Sequence, residues 1–492
     1  MRATNAFPFI LALAAAQAFA QIPFKKVALT PITMGTTETP LFVGEGVTVG
    51  DFNKDGNLDV AAGIDIWLGP DFTKKQKYGA GAETFNGATG YASYYMNLPA
   101  MDVNKDGWMD IPVSAGVGGK DFWLENPKGG TGTWVEHPIA AYAGFETNCL
   151  YPLLKNGSLQ LLYATNDKKV GYATPDPADP TKAWTFHQVG DPSPPGGSYN
   201  GYILNSHGLG MGDINGDGRN DVMVSDAWFE QPASLVGDPL WIRHNFDFNQ
   251  KKAHPEITAT NQAWGGSHMY TSDVDGDGDS DVVAALDGHG WGLAWFEQVK
   301  ATDGSITFKD HIIMGARTQE ATYGVAFSEL HSLQFIDLNG DGLKDIVTGK
   351  RWWAHNKGGA DAENEGAAVL YAFLQKRGAG PGTTTFTPVL LDSAVGSGCR
   401  LEVVDMNTDG YPDVVVAGKK GVYVYLSTNR TPIAILGPSW AQARRSGWRL
   451  SIMADRSPGL AVSGGVSKAL NLLGASLPIL EASHGGVLIR KD

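Results

Sequence analysis

An all-β chain, built as a seven-bladed β-propeller of four-stranded antiparallel blades, is predicted by three observations. A nine-residue acidic loop occurs six times in 492 residues. Apolar, β-branched segments of strand length flank every copy. The copies are regularly spaced except for one interval of double length, between Asp102 and Asp213. Units of this kind bury their faces only against one another, which is how propeller blades are held. The 63 Gly and 14 Trp, with little helical periodicity, suit short strands and tight turns.

The loops read DFNKDGNLD from Asp51, DVNKDGWMD from Asp102, DINGDGRND from Asp213, DVDGDGDSD from Asp273, DLNGDGLKD from Asp337 and DMNTDGYPD from Asp405. Side-chain oxygens at positions 1, 3, 5 and 9, a Gly at 6 and a carbonyl at 7 are what a hard cation such as calcium asks of a short loop. The expected ligand sets are Asp51, Asn53, Asp55, Asn57 and Asp59; Asp102, Asn104, Asp106, Trp108 and Asp110; and Asp213, Asn215, Asp217, Arg219 and Asp221. The later three are Asp273, Asp275, Asp277, Asp279 and Asp281; Asp337, Asn339, Asp341, Leu343 and Asp345; and Asp405, Asn407, Asp409, Tyr411 and Asp413. An EF-hand would add Glu at position 12, where this chain has Ala62, Val113, Val224, Ala284, Thr348 and Val416. One such loop alone reads as an Asx-rich turn that binds nothing. Six with every acceptor kept point to structural calcium, at up to six sites.

Residues 1–20 carry one Arg, the apolar run FPFILALAAA and an Ala-Phe-Ala end, and read as a signal peptide. The run is too short to span a bilayer, so no membrane span is expected and the mature chain is placed outside the cytoplasm: periplasmic, cell-surface or extracellular. Residues 21–430 form the propeller. In each unit an apolar segment enters the loop, a second leaves it, a third carries aromatics (IWLGP, FWLENP, AWFEQP, AWFEQV, RWWAHN) and a fourth follows. The double interval hides a worn third unit, NCLYPLLKNGSLQLLYAT, with Pro152 at position 1; it keeps the fold without the metal. The last unit lacks its fourth strand, and PFKKVALTPI from Pro23 supplies it, closing the ring beside Tyr423 and Tyr425. Residues 431–492 turn Ala-, Ser-, Leu- and Gly-rich: either a linker with a small β element or a sorting tail. Cys149 and Cys399 make no disulfide framework. The net charge of −14 argues against nucleic acid. A monomer is expected.

The repeat D-x-[ND]-x-D-G-x-x-D between strands resembles the FG-GAP/VCBS repeat family, whose blades also build the propeller of integrin alpha chains. The resemblance covers about residues 40–430 and fails at the third unit. Stretches such as SHGLGMGDINGDGRNDV and LHSLQFIDLNGDGLKDIVTGKRWWAH look like a group of exported bacterial VCBS proteins. A more distant likeness is to the propeller of fungal aldos-2-ulose dehydratase, which implies metal-dependent chemistry on sugar derivatives. Propellers host binding modules and enzymes alike.

First strands line a propeller's channel, so residues five or six places before each loop gather at the far mouth: Glu45, Met96, Glu146, His207, His268, His331, and Cys399 with Arg400. The ends of the second strands return there: Asp65, Asp226, His289, Lys350 with Arg351, and Lys419 with Lys420. Two uses are open. The cluster His207, His268 and His331 suits an additional borderline divalent metal in the funnel; or His or Tyr270 serves as base, with Arg351 or Arg400 holding a substrate carboxylate. The blander reading is that these histidines fill the channel. His137, His187, His244 and His311, in fourth strands, read as solvated edge residues, and the third-strand tryptophans as blade core. Two functions follow: a secreted calcium-stabilised module binding a carbohydrate or an extracellular or cell-surface protein, or a carbohydrate-active lyase or dehydratase working in the funnel.

Overall fold

The computed structural model describes residues 22–30, 40–42, 44–80, 84–86, 96–116, 119–142, 147–167, 169–190, 207–257, 265–354 and 358–428, with two short strands at 469–470 and 476–477. The expected signal peptide, Glu146 and nearly all of the C-terminal tail lie outside these residues. No helix among the described residues is long and apolar enough to cross a membrane.

The architecture is an all-β propeller of four-stranded antiparallel blades. First strands Val47–Gly50, Met96–Asn97, Leu209–Gly212, His268–Ser272, Leu330–Ile336 and Leu401–Val404 each run toward an acidic loop. The worn unit folds like its neighbours, with Cys149–Tyr151, Gln160–Ala164, Val170–Thr174 and Thr185–Gly190 in one sheet. Gln160 stands where the others have their ninth-position Asp, and its amide oxygen accepts the Leu154 N–H at 3.0 Å. Phe24–Ala28 pairs antiparallel with Gly421–Ser427, in register from Phe24 opposite Ser427 to Ala28 opposite Tyr423. The N-terminal strand therefore completes the last sheet. Leu401–Val404 in turn packs beside Val47–Gly50 of the first sheet.

Seven separate sheets are expected from the sequence; among the described residues there are five of four strands, one of eight and two strand pairs. In the large sheet Leu209–Gly212 and His268–Ser272 pair in parallel, with an antiparallel four-strand run on either side. Glycine permits this approach. A Cβ on Gly210 would lie 2.1 Å from the Met269 carbonyl oxygen, and one on Gly212 would lie 1.8 Å from Thr271 Oγ1. With no side chain between them at these positions, the two strands close to hydrogen-bonding distance.

Two devices repeat around the ring. In all six loops the ninth-position Asp accepts two backbone N–H groups, one from loop position 2 and one from the end of the third strand. Asp59 takes those of Phe52 and Gly69 at 2.9 and 2.8 Å; Asp281 takes those of Val274 and Gln298 at 2.8 and 2.9 Å. The second device crosses between units. The side-chain amide of Asn126 donates to the Phe52 carbonyl, that of Gln298 to Ile214 and that of Gln375 to Val274, at 2.9, 3.1 and 2.7 Å. Each amide ties one unit's third strand to the preceding unit's loop. Truncating it leaves a buried carbonyl without its partner, so Gln298→Ala is expected to cost about 1–3 kcal/mol. Equilibrium urea unfolding checks this, and a change within error would show the tie to be dispensable.

The fourth-strand histidines are not simply solvated. His244 stacks on Trp228 with ring centroids 3.9 Å apart, and His311 on Trp295 at 4.3 Å. His137 lies over Trp123 and His187 over Tyr172. Three of them also meet the Glu that follows the aromatic residue: Glu125, Glu230 and Glu297. Each imidazole caps a blade's aromatic core, which is why the FWLE and WFEQ segments recur with a His opposite. Trp123, Trp228 and Trp295 are fully buried in third strands, as expected of blade core, whereas Trp352 and Trp353 of the expected third strand RWWAHN stack on each other in the turn after Asp345–Lys350, and Leu370–Lys376 is that blade's third strand.

Candidate metal centre and its surroundings

His207, His289 and His331 come together in the interior. Their ring centroids lie 4.7–5.0 Å apart, every pair of rings is nearly perpendicular, and all three side chains are buried. One ligand nitrogen from each lies within 4.8 Å of the other two. His207 precedes a first strand, His331 lies in another, and His289 sits in the Gly-rich turn after Asp281–Ala285.

His268 is elsewhere, and the difference is local backbone irregularity. His207 and His331 stand six residues before their loops, whereas His268 stands five before Asp273. His207 lies ahead of its strand and is followed by Gly208 at a φ of 81°, and His331 is the bulged residue between Leu330 and Ser332, whereas His268 is regularly paired opposite Leu209. His268 joins a different buried group with Arg400, Cys149, Glu402 and Tyr270, all at odd distances before their loops when Pro152 is taken as position 1 of the worn unit. Burial, helped by the nearby Arg400 charge, pushes His268 down to about 3, so it is neutral.

The remaining predicted residues are engaged by the chain itself. Arg351 Nε donates to Glu45 at 2.6 Å, and its Nη2 and the Lys419 ammonium also meet that carboxylate; all three side chains are buried. Arg400 donates to Cys149 Sγ at 2.7 Å and to Glu402 at 3.0 Å. Both guanidiniums predicted to clamp a substrate carboxylate thus already hold acidic groups of the protein. The Tyr270 hydroxyl donates to the Leu333 carbonyl at 2.9 Å, and burial pushes its pKa further from neutrality, which suits a strut better than a base. Asp65 holds Lys75, and Asp226 holds Arg243. Cys149 and Cys399 are buried, Cys149 against Arg400 and Cys399 against Glu45.

The histidine cluster has the supports that imidazole ligands need. His289 Nδ1 lies 3.1 Å from the Asp361 carboxylate, and His331 Nδ1 lies 3.2 Å from the Glu329 backbone carbonyl. A carbonyl only accepts, so His331 carries its proton on Nδ1 and presents Nε2 as a lone pair; the Asp361 carboxylate lies beside His289 Nδ1 as a charge partner. Glu329 itself pairs with Lys350 at 2.5 Å, and Lys350 also donates to Ser328 Oγ at 2.7 Å. Glu329, Trp353 and Glu363 hold positive φ of 63°, 54° and 46°. Such strain in non-glycine residues gathers where surrounding structure fixes a site. The signal for His289 was the turn DGHGWG, where Asp287 accepts the N–H groups of His289 and Gly290 at 2.9 and 3.0 Å.

In four of the acidic loops the first-position Asp accepts backbone N–H groups from positions 5 and 6, as Asp51 does from Asp55 and Gly56 at 3.1 and 3.0 Å, while Asp273 accepts that of Gly276 and Asp337 those of Gly340 and Gly342. The third-position Asn and fifth-position Asp brace the next turn, as in Asn53 with Asp55 and Asp55 with Asn57. In the Asp273 loop, where position 3 is also acidic, Asp273, Asp275 and Asp281 bring one oxygen each within 4.8 Å of the others. Burial pushes the ninth-position carboxyls Asp59, Asp221, Asp281, Asp345 and Asp413 up to about 7 and Asp110 up to about 8, against the pull of their backbone donors.

Comparison with known proteins bears on the repeat. Residues 273–348 match an FG-GAP-like repeat family. Integrin alpha-6 of Gallus gallus is 35% identical over 109 residues, 21% of this chain and 9% of that protein, so the chain spans under a tenth of its relative. Among solved structures, the V. cholerae biofilm matrix protein Bap1 is 10% identical with a TM-score of 0.39, covering 84% of this chain and 93% of its own. BBS1N in complex with ARL6DN is 9% identical with a TM-score of 0.42, over 83% and 99%. Bacillus licheniformis rhamnogalacturonan lyase PL11 is 12% identical with a TM-score of 0.37, over 82% and 76%. Likenesses of that degree carry no functional conclusion. The family match on the Asp273 repeat, the related integrin segment and the blades built on its sister loops support an FG-GAP β-propeller family for this chain.

Proposed function

We propose that the protein is an exported, calcium-braced propeller of seven blades whose interior holds a divalent transition metal on His207, His289 and His331, and that it acts on carbohydrate as a lyase or dehydratase. The observation that carries this reading is the buried triad itself, with Nδ1 of His331 fixed by the Glu329 carbonyl and the Asp361 carboxylate beside His289 Nδ1. Three imidazole ligands suit zinc or manganese far better than calcium. Such a metal, when bound, would supply Lewis acidity toward a substrate oxygen. The chain's part is to exclude water, hold His289 and His331 by Asp361 and the Glu329 carbonyl, and place the Glu329–Lys350 pair beside one ligand, where it can shuttle a proton. The blade count is supported by seven apolar clusters among the described residues, each shared between successive four-strand runs.

Elemental analysis of protein purified without chelator tests the centre. About one equivalent of transition metal is expected, reduced at least tenfold in His207→Ala plus His331→Ala but not in His268→Ala. The visible spectrum of cobalt-substituted protein gives a second readout, independent of turnover. Equal metal content in wild type and the double variant would overturn the centre. The other reading, a binding module for carbohydrate or an extracellular protein, gains if wild type carries no transition metal yet binds a glycan.

A further inference from the structure

Resting on that reading, the geometry points to a sugar subsite next to the histidine centre, and to an uncharged sugar as its occupant. A cavity of about 190 Å³ is lined by Arg317, Glu320, Lys350, Glu363, Phe327 and Tyr371, with small aliphatic residues between them. Its walls are the same segments that hold the histidines. Lys350 reaches from the cavity to Glu329, whose carbonyl fixes His331. Glu363 lies two residues after Asp361, the charge partner of His289, and Ser328 Oγ donates to the Ala362 carbonyl at 2.5 Å, joining the two walls.

Charge and shape narrow the ligand. The lining carries two cations, Arg317 and Lys350, and two carboxylates, Glu320 and Glu363, for a formal balance of zero. Each cation is already matched: Arg317 meets both oxygens of Glu363 at 2.5 and 2.7 Å and Glu320 at 3.0 Å, while Lys350 meets Glu329. An anionic ligand would have to displace one of these partners and leave a carboxylate facing it, a cost that falls mainly at the buried Lys350–Glu329 pair, since Arg317 and Glu320 are exposed. The opposite side is apolar, with Phe327 and Tyr371 stacked at 5.4 Å and 10° beside Val325, Ala326 and Val369. A flat apolar wall facing a rim of donors and acceptors fits a sugar ring, which has a C–H face and hydroxyls that both donate and accept. The volume is below the usual range for drug-sized ligands, roughly 300–1,000 Å³, and suits a single ring.

Saturation-transfer NMR with the intact protein tests this, using neutral hexoses and pentoses beside the matching uronic acids. At least one neutral sugar is expected to bind at least tenfold tighter than its uronate, with binding weakened at least tenfold by Glu363→Gln and by Tyr371→Ala. Circular dichroism and metal content establish that each variant is folded. The proposal falls if no neutral sugar binds, if the uronates bind more tightly, or if both folded variants bind as wild type does. Sugar binding by protein that carries no metal would support the subsite while removing the catalytic reading. A loaded metal centre with no sugar signal would do the reverse.

Discussion

Glu45→Ala is expected to destabilise the protein by at least about 3–5 kcal/mol, the usual cost of leaving a buried charge without its partner. Glu45 is fully buried and its two oxygens face two cations, Arg351 and Lys419, both themselves buried. Lys419 can escape part of the penalty by losing its proton, since burial already pushes its pKa down. Arg351 cannot, because a guanidinium stays protonated at any ordinary pH. The neutral isostere Glu45→Gln keeps the shape and removes the charge, so it should lose much of the same stability. The exposed pair Lys120–Glu136 is the control: Glu136→Ala should change stability by no more than about 1 kcal/mol. Guanidinium unfolding of the three variants decides, and a Glu45→Ala loss no larger than the control's would mean the cluster contributes nothing net.

Chelation is the second large effect. If calcium occupies the acidic loops at about 100 times its dissociation constant, each site stabilises the folded state by about 2.7 kcal/mol through mass action. With several sites filled, EGTA should lower the melting temperature on the order of 10 °C or more, and excess calcium should restore it. Asp341→Ala, which empties one loop, should give only a fraction of that shift. An identical transition with and without EGTA would remove calcium from the account of this fold. Magnesium, which prefers near-ideal octahedral geometry, should restore the transition poorly.

Much of the fold is written in the loops. A repeat every few dozen residues fixes where each first strand ends and each second strand begins, so the units, the worn third copy and the borrowed N-terminal strand follow from the sequence. The large eight-stranded sheet does not, because whether neighbouring first strands pair depends on distances that only the closed ring sets; Gly210 and Gly212 acquire their meaning there. At the centre, His207 and His331 were legible from their offset, and His268 was misplaced because the turn at Gly208 and the bulge at His331, which the spacing does not show, set the other two imidazoles apart from it. His289 was harder to see as a partner because it comes from a turn rather than a strand, where no periodicity announces which way a side chain points. The engagement of Arg351 and Arg400 by Glu45 and Glu402 was hidden for a similar reason: the partners of Arg351 lie about three hundred residues away in the chain.

The pairing of Phe24–Ala28 with Gly421–Ser427 sets the order of events as the chain is made. The opening strand cannot find its place until almost the whole propeller has been synthesised, and until then both it and the final hairpin present open backbone to any neighbouring molecule. Contacts between residues so distant in sequence make for slow folding and a long exposure to misassembly. Newly made chains are therefore at greatest risk of exchanging this strand between two copies, and dilution or a holding chaperone during refolding should raise the yield of closed monomer.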